Sequence, residues 1–220
     1  MAEEEDDWCS EGFDEVDKES ERQSAPRVPR RWYLPAEHSG ELSFVTDMPF
    51  VFKEHNLKLD GHWKNWFTCS GRNCPLCKAG NDPYVAAVWM VVDHGEWEDS
   101  EGNQHVDEPR LFVAKTRVAS RLKRIREKKK TLRGMRLEVY RSEAMAANTG
   151  DQFDGDGKPA TAKMIARLKW WPKNQDYDAL PGGAKAKWKE IFAPKTRDEL
   201  AEVLGKLADE EEDDDKPVRF

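Results

Sequence analysis

Three cysteines stand close together near the first third of the chain: Cys69, Cys74 and Cys77. Zinc takes four tetrahedral ligands, and a Cys-x-x-Cys turn brings two thiolates onto one ion. Here the turn reads Cys74-Pro75-Leu76-Cys77-Lys78-Ala79-Gly80, a form that can aim backbone N–H groups at the sulfurs. Cys69 supplies a third thiolate from just upstream. The fourth ligand is then a histidine, either His55, 14 residues before Cys69, or His62, 7 before it. A Cys-x-x-Cys alone also suits a redox pair, but a third cysteine and nearby histidines favour one metal ion. Ligation by four residues leaves no open position for catalysis, so the expected ion is one structural Zn2+. Cys9 stands alone in an acidic stretch.

A second chemistry lies in cations interleaved with aromatic rings. Trp63, Lys64, Trp66 and Phe67 lead into Cys69, and Arg72 lies between the cysteines. Arg121 and Arg124 belong to a strongly basic segment; Arg136, Tyr140 and Arg141 lie on or beside one expected strand; Lys163, Arg167, Lys169 and Trp170 accompany another. The chain has nine tryptophans in 220 residues. Proteins that bind single strands combine a cationic groove with rings on which bases stack. Any one of these rings is more often core than platform, and the basic segment can equally be a solvated helix face; the interleaving speaks for the group.

The net charge of −7 conceals a division. Residues 1–22 carry 11 Asp/Glu against Lys18 and Arg22, and residues 209–220 carry 7 against Lys216 and Arg219. The stretch between them, 23–208, holds 32 Lys/Arg and 25 Asp/Glu. A basic core between acidic tails suggests a polyanion-binding core whose tails compete with the polyanion. The last residues include Asp213, Asp214, Asp215 and a terminal Phe220. Such a run can mimic a phosphate chain, and a terminal aromatic with its carboxylate can dock in a partner's pocket. The plainer alternative is a solubilising tail.

The elements that must position these groups are largely strands. Glu41–Thr46 alternates polar and apolar, Met48–Phe52 continues it, and Tyr84–Val92 is an apolar run of central-strand length. Residues 53–83 read as turn-rich. Arg110–Lys115 returns as a strand after a hairpin tip at 99–103. Thr116–Lys130 reads as a helix with Thr116 as N-cap and Val118, Leu122 and Ile125 on one apolar face. Met135–Tyr140 and Ala162–Trp171 complete the strands, the latter with a helix as the alternative, and 183–206 is mostly helical. The expected class is mainly β with inserted helices (α+β), an OB-fold barrel with a small zinc-binding subdomain and flanking disordered acidic tails. The divisions are a tail at 1–28, a core at 29–182 with the zinc subdomain at about 53–83, a helical segment at 183–207 and a tail at 208–220. No apolar run approaches the roughly 20 residues of a membrane span, and no signal-peptide pattern opens the chain. The expected location is cytoplasmic, with reduced cysteines.

Taken in order, Phe52-Lys53-Glu54-His55, Trp66-Phe67-Thr68-Cys69, Cys74-Pro75-Leu76-Cys77-Lys78-Ala79-Gly80, Leu132-Arg133-Gly134, Leu137-Glu138-Val139-Tyr140-Arg141-Ser142 and Thr149-Gly150-Asp151 resemble the phage-type single-stranded-DNA-binding (helix-destabilising) proteins. The resemblance covers roughly residues 30–180. It implies an OB fold with a zinc subdomain inserted early, binding without enzymatic activity, and a setting in DNA replication, recombination and repair, in the host cytoplasm if phage-encoded. By position it favours His55 as the fourth ligand. The acidic, aromatic-ended tail resembles those of bacterial and phage single-strand binders, which implies recruitment of polymerase, helicase or primase. The chain departs from the pattern after Ser142, where Glu143 and an Ala-rich stretch stand in place of an expected glycine.

Two other functions compete. A zinc-containing nuclease or other nucleic-acid enzyme would need an open metal or a cluster of acids and histidines. His94 and His105, with Asp93 and Glu96 nearby, are the other such grouping. A protein-interaction adaptor would use the tails as DNA mimics and the zinc knob as scaffold.

Overall fold

One strand organises the protein. Tyr84–Asp93 (β4) is rich in β-branched residues, and its seven central residues, Ala86–Val92, are all buried. A strand covered on both faces reads as a continuous apolar run rather than an alternating one. The structure, a computed structural model, describes residues 28–59, 62–98, 102–155 and 185–214.

The remaining strands are β1 (Ser39–Phe44), β2 (Phe50–Leu59), β3 (His62–Thr68), β5 (Trp97–Glu98), β6 (Gln104–His105), β7 (Glu108–Lys115), β8 (Arg136–Tyr140) and β9 (Gln152–Asp154). The helices are α1 (Pro75–Lys78), α2 (Thr116–Lys129), α3 (Lys185–Ile191) and α4 (Arg197–Asp214). Along one edge of β4 runs β7, in register from Ala86↔Lys115 to Asp93↔Glu108. The other edge is shared. β2 takes its first half (Phe50↔Val88 to Glu54↔Tyr84) and β1 its second (Leu42↔Asp93 to Phe44↔Val91). β3 extends the sheet beyond β2, and β8 then β9 extend it beyond β1, all antiparallel. Arg31 adds a single parallel bridge to Leu111 of β7.

Alternate residues of β4 feed two cores. Ala87, Trp89 and Val91 join Trp32, Leu42, Phe44, Phe112, Leu137 and Val139, closed by Val118 and Leu122 of α2. Ala86, Val88, Met90 and Val92 join Phe52 and Leu111, closed by Trp188 of α3 and Phe192 just after it. Phe50 stacks on Trp188 with centroids 6.0 Å apart, and Phe52 meets Phe192 at 4.3 Å.

A mainly antiparallel β fold with a few helices is what the periodicity predicts. Three details differ. The segment read as turn-rich contains the second half of β2 and all of β3. Its alternation is hidden by Glu54 and His55, polar residues that are fully buried, and by a register shift between His55 and Leu57. Thr116 is the first helical residue of α2 rather than its cap; Lys115, in extended conformation, precedes the helix without a side-chain cap. Finally, α4 continues to Asp214, so the stretch assigned to a disordered tail at 208–220 begins inside a helix. Closure of a barrel is not seen among the described residues; the strand expected over 162–171 lies outside them, as does the tail at 1–27. No helix among the described residues is long and apolar enough to cross a membrane.

Candidate metal centre and nucleic-acid cleft

β2, β3 and the α1 turn bring four side chains together: His55, Cys69, Cys74 and Cys77. Their donor atoms all lie within 4.8 Å of one another. His55 Nε2 is 3.3 Å from Cys74 Sγ and 3.8 Å from Cys77 Sγ, and Cys69 Sγ is 3.7 Å from Cys77 Sγ. A tetrahedron with zinc–sulfur arms of about 2.3 Å has edges of about 3.8 Å. The three thiols form no disulfide. Donor set and spacing fit a bound metal ion.

The local sequence builds this geometry. Pro75 opens α1, a single turn whose Lys78 N–H donates to Cys74 O (3.2 Å) and so holds Cys74 and Cys77 on one side. Gly80 ends it at φ +85°, a conformation that glycine adopts without strain. Asn81 N–H then donates to Leu76 O at 3.0 Å, which brings the Asn81 side chain under His55. Asn81 Nδ2 donates to Asn56 O (3.2 Å), leaving Asn81 Oδ1 to accept from His55 Nδ1 at 2.9 Å. That bond fixes the tautomer and presents the Nε2 lone pair to the thiols.

The thiols differ in acidity. Burial works against the Cys74 thiolate, but the backbone N–H groups of Cys77, Ser70 and Leu76 and the Ser70 hydroxyl outweigh it and hold Cys74 down to about 6. Burial pushes Cys77 up to about 11, with help from neighbouring Cys69 and Cys74. The backbone of His62 pairs with Leu59, four residues along β2 from His55 and so about 13 Å away.

A cleft of about 930 Å³ opens beside β7 and α2. Arg30, Arg31, Lys115, Arg117 and Arg121 line it, with Tyr33, Tyr84, Asn56 and the loop from Ser142 to Asn148. Tyr33 is 60% exposed and Met145 on the facing loop 92%. The floor is a buried network in which Arg31 donates to both oxygens of Glu54, and Tyr84 OH donates to Glu54 Oε1. Burial and that carboxylate push the Tyr84 phenol up, and Lys115 Nζ sits 4.3 Å from the centre of its ring. The loop is held from below. Arg141 donates to Leu34 O (3.0 Å) and Ala144 O (2.6 Å). Gly150, at φ +84°, passes so close to Val139 that a Cβ would lie 2.4 Å from its Cγ1.

Of the residues chosen from sequence for DNA contact, Arg121 lines the cleft and Arg124 lies exposed one turn on along α2. Arg117, Arg121 and Arg124 share one helix face. Arg141 is a correction: it is buried and structural. Phe67 is another, since it lies in the core under the cysteines with Leu57 and Leu76. Arg136 and Tyr140 sit on the outer face of β8, where Arg136 is engaged by Glu41, and the Arg136 bond holds the Glu41 carboxyl below its ordinary value. Arg72 is exposed in the loop before Cys74. Trp63, Lys64 and Trp66 lie on β3, with side chains outside the described set, and Lys163, Arg167, Lys169 and Trp170 lie outside the described residues. Asp213 and Asp214 end α4; Asp215 and Phe220 lie outside. The sequence reading passed over Arg30, Arg31, Tyr33, Tyr84, Lys115 and Arg117. The run Arg30-Arg31-Trp32-Tyr33 carried the signal, a basic pair next to two rings.

His94 and His105 do not converge. His94 Nδ1 meets Asp107 Oδ1 at 2.5 Å and its Nε2 meets Ser43 Oγ at 2.7 Å, a Ser-His-Asp chain. Ser43 is fully buried, so no substrate reaches its hydroxyl. His105 stacks on Trp97 with centroids 4.1 Å apart. Among the described residues, the one His/Cys/Asp/Glu group placed to hold a metal is that of His55. No protein-family model and no curated protein matches this chain.

Proposed function

We propose that this chain is a non-catalytic single-stranded-DNA-binding protein, built on an OB-type fold with one structural Zn2+ held by His55, Cys69, Cys74 and Cys77. The observation that carries the reading is the cleft. Arg30, Lys115, Arg117 and Arg121 line it beside an exposed Tyr33 ring, with Arg31 held by Glu54 beneath them, the pairing of phosphate contacts and stacking platform that single strands need. Strand order supports the OB reading. With β1 and β2 taken as one bent strand along β4, the helix falls between the third strand (β7) and the fourth (β8). Three thiolates and one imidazole at tetrahedral spacing suit Zn2+ and leave no open coordination position. Reduced thiols fit the cytoplasm. The chain coats exposed strands in replication, recombination and repair. Its acidic C-terminal run, Asp213, Asp214 and Asp215 included, competes for the cleft and, with Phe220, recruits polymerase, helicase or primase.

Titration of fluorescent oligo-dT and a matched duplex with the full chain and a version ending at Ala208, across a salt series, tests this. The expected result is preference for the single strand, affinity that falls as salt rises, and tighter binding by the shortened chain. Equal binding to strand and duplex, or none to either, overturns it.

A further inference from the structure

The metal centre has an apolar underside, and the C-terminal helix sits on it. Leu57, Phe67, Cys74 and Leu76 form a small core with Leu200 of α4, and Cys69, Cys77, Val203 and Leu204 pack around it. Leu200 is only 1% exposed. Three of the four metal-binding side chains thus touch or flank the residues that hold α4 down. The helix begins at a capping box: Thr196 Oγ1 accepts from Glu199 N–H (3.3 Å), and Glu199 Oε2 accepts from Thr196 N–H (2.7 Å). The other contacts of this core come from a hairpin and one turn of helix, too little to hold its shape alone. A bound metal supplies that rigidity.

We infer that metal occupancy at His55, Cys69, Cys74 and Cys77 governs the docking of α4, and with it the position of the acidic run that α4 carries. With metal bound, Leu76 and Phe67 form a fixed seat for Leu200. Without it, the α1 turn loses its anchor and the helix is released. Coupling of this kind is reciprocal: a helix that docks better on the loaded site must also tighten metal binding. The inference rests on the metal reading and is independent of what the cleft binds.

The test uses the full chain loaded with Zn2+ and two readouts that involve no nucleic acid. Amide exchange across residues 197–205 is compared before and after chelation, with α2 as internal reference. Zinc affinity is measured by equilibrium competition with a chromophoric chelator for the wild type, Leu200→Asp, and Ala201→Asp on the exposed side of the helix. The expected results are exchange across 197–205 that quickens about tenfold on zinc removal while α2 holds, and zinc affinity about tenfold weaker in Leu200→Asp alone. Should chelation unfold the whole chain, the Leu200→Asp zinc affinity decides by itself. A wild-type affinity in Leu200→Asp, protection of 197–205 that survives chelation in a folded chain, or a chain that takes up no zinc overturns the inference.

Discussion

Glu54 and His55 are neighbours on β2 that point to opposite sides, both fully buried: Glu54 holds Arg31 and Tyr84 at the floor of the cleft, and His55 meets the three cysteines. One strand segment thus braces both the cationic cleft and the metal centre. Breaking a buried ion pair from one side strands the other charge, at a cost of about 3 kcal/mol. Glu54→Ala should lose about that much stability in urea unfolding, because Arg31 is left without its carboxylate. A loss below about 1 kcal/mol would show that the pair contributes little.

Asn81 touches no sulfur, yet it sets which nitrogen of His55 faces them. Outer-shell partners of this kind are worth about 10- to 100-fold in metal affinity. Asn81→Ala should weaken Zn2+ binding within that range in chelator competition; an unchanged affinity would show that the Asn81 bond does not orient His55. Uptake of zinc at pH 7 should also expel protons, that of Cys77 among them, since its thiol is pushed up to about 11. Retention should weaken as the pH falls toward 6, where Cys74 takes up its proton.

In the cleft, cations and ring should separate by salt. Each phosphate contact adds about 0.7 to the log–log salt slope for a single strand. Arg117→Ala and Arg121→Ala should each flatten the slope for oligo-dT by about that amount. Tyr33→Ala should instead weaken binding by about 1–3 kcal/mol at every salt concentration. A Tyr33→Ala chain that binds as the wild type does would remove the ring from the interface.

Asp47 ties the β1–β2 connection to the end of α2. It accepts from Arg126 Nη2 (2.7 Å), Thr131 Oγ1 (2.6 Å) and Leu132 N (2.8 Å). Partial burial opposes its ionisation, but these bonds outweigh it and hold the carboxyl below the ordinary aspartate value of 3.8. Its contribution is therefore complete above the unfolded-state value and disappears as the pH falls through the lower, folded one. Between pH 5 and pH 2 the wild type should lose more stability than Asp47→Asn, which starts lower by about 2 kcal/mol. Parallel pH profiles would contradict this.

The cysteine cluster was legible because cysteine spacing is a local property: Cys74 and Cys77 need only a single turn between them. The choice of His55 over His62 needed the β2–β3 register, which spacing alone does not supply. The cleft was largely illegible because it is assembled across the sheet. Arg31, Tyr84 and Lys115 are far apart in sequence and meet only through the pairing of β4 with β2 and β7. Arg141 misled for the opposite reason. Beside an exposed strand face it reads as a free cation, yet its guanidinium is spent on the carbonyls of Leu34 and Ala144.

The aromatic lid formed by Trp188 and Phe192 comes from the far end of the chain. During synthesis every strand from β1 to β9 leaves the ribosome before the residues that cover Phe50, Phe52, Val88 and Met90. Until then Phe50, Phe52, Val88 and Met90 lack the cover that Trp188 and Phe192 give them, and transiently exposed apolar surface of this kind is where chains aggregate. A fragment cut before Trp188 would lose that cover altogether, and a useful deletion of the acidic run must begin beyond Leu204.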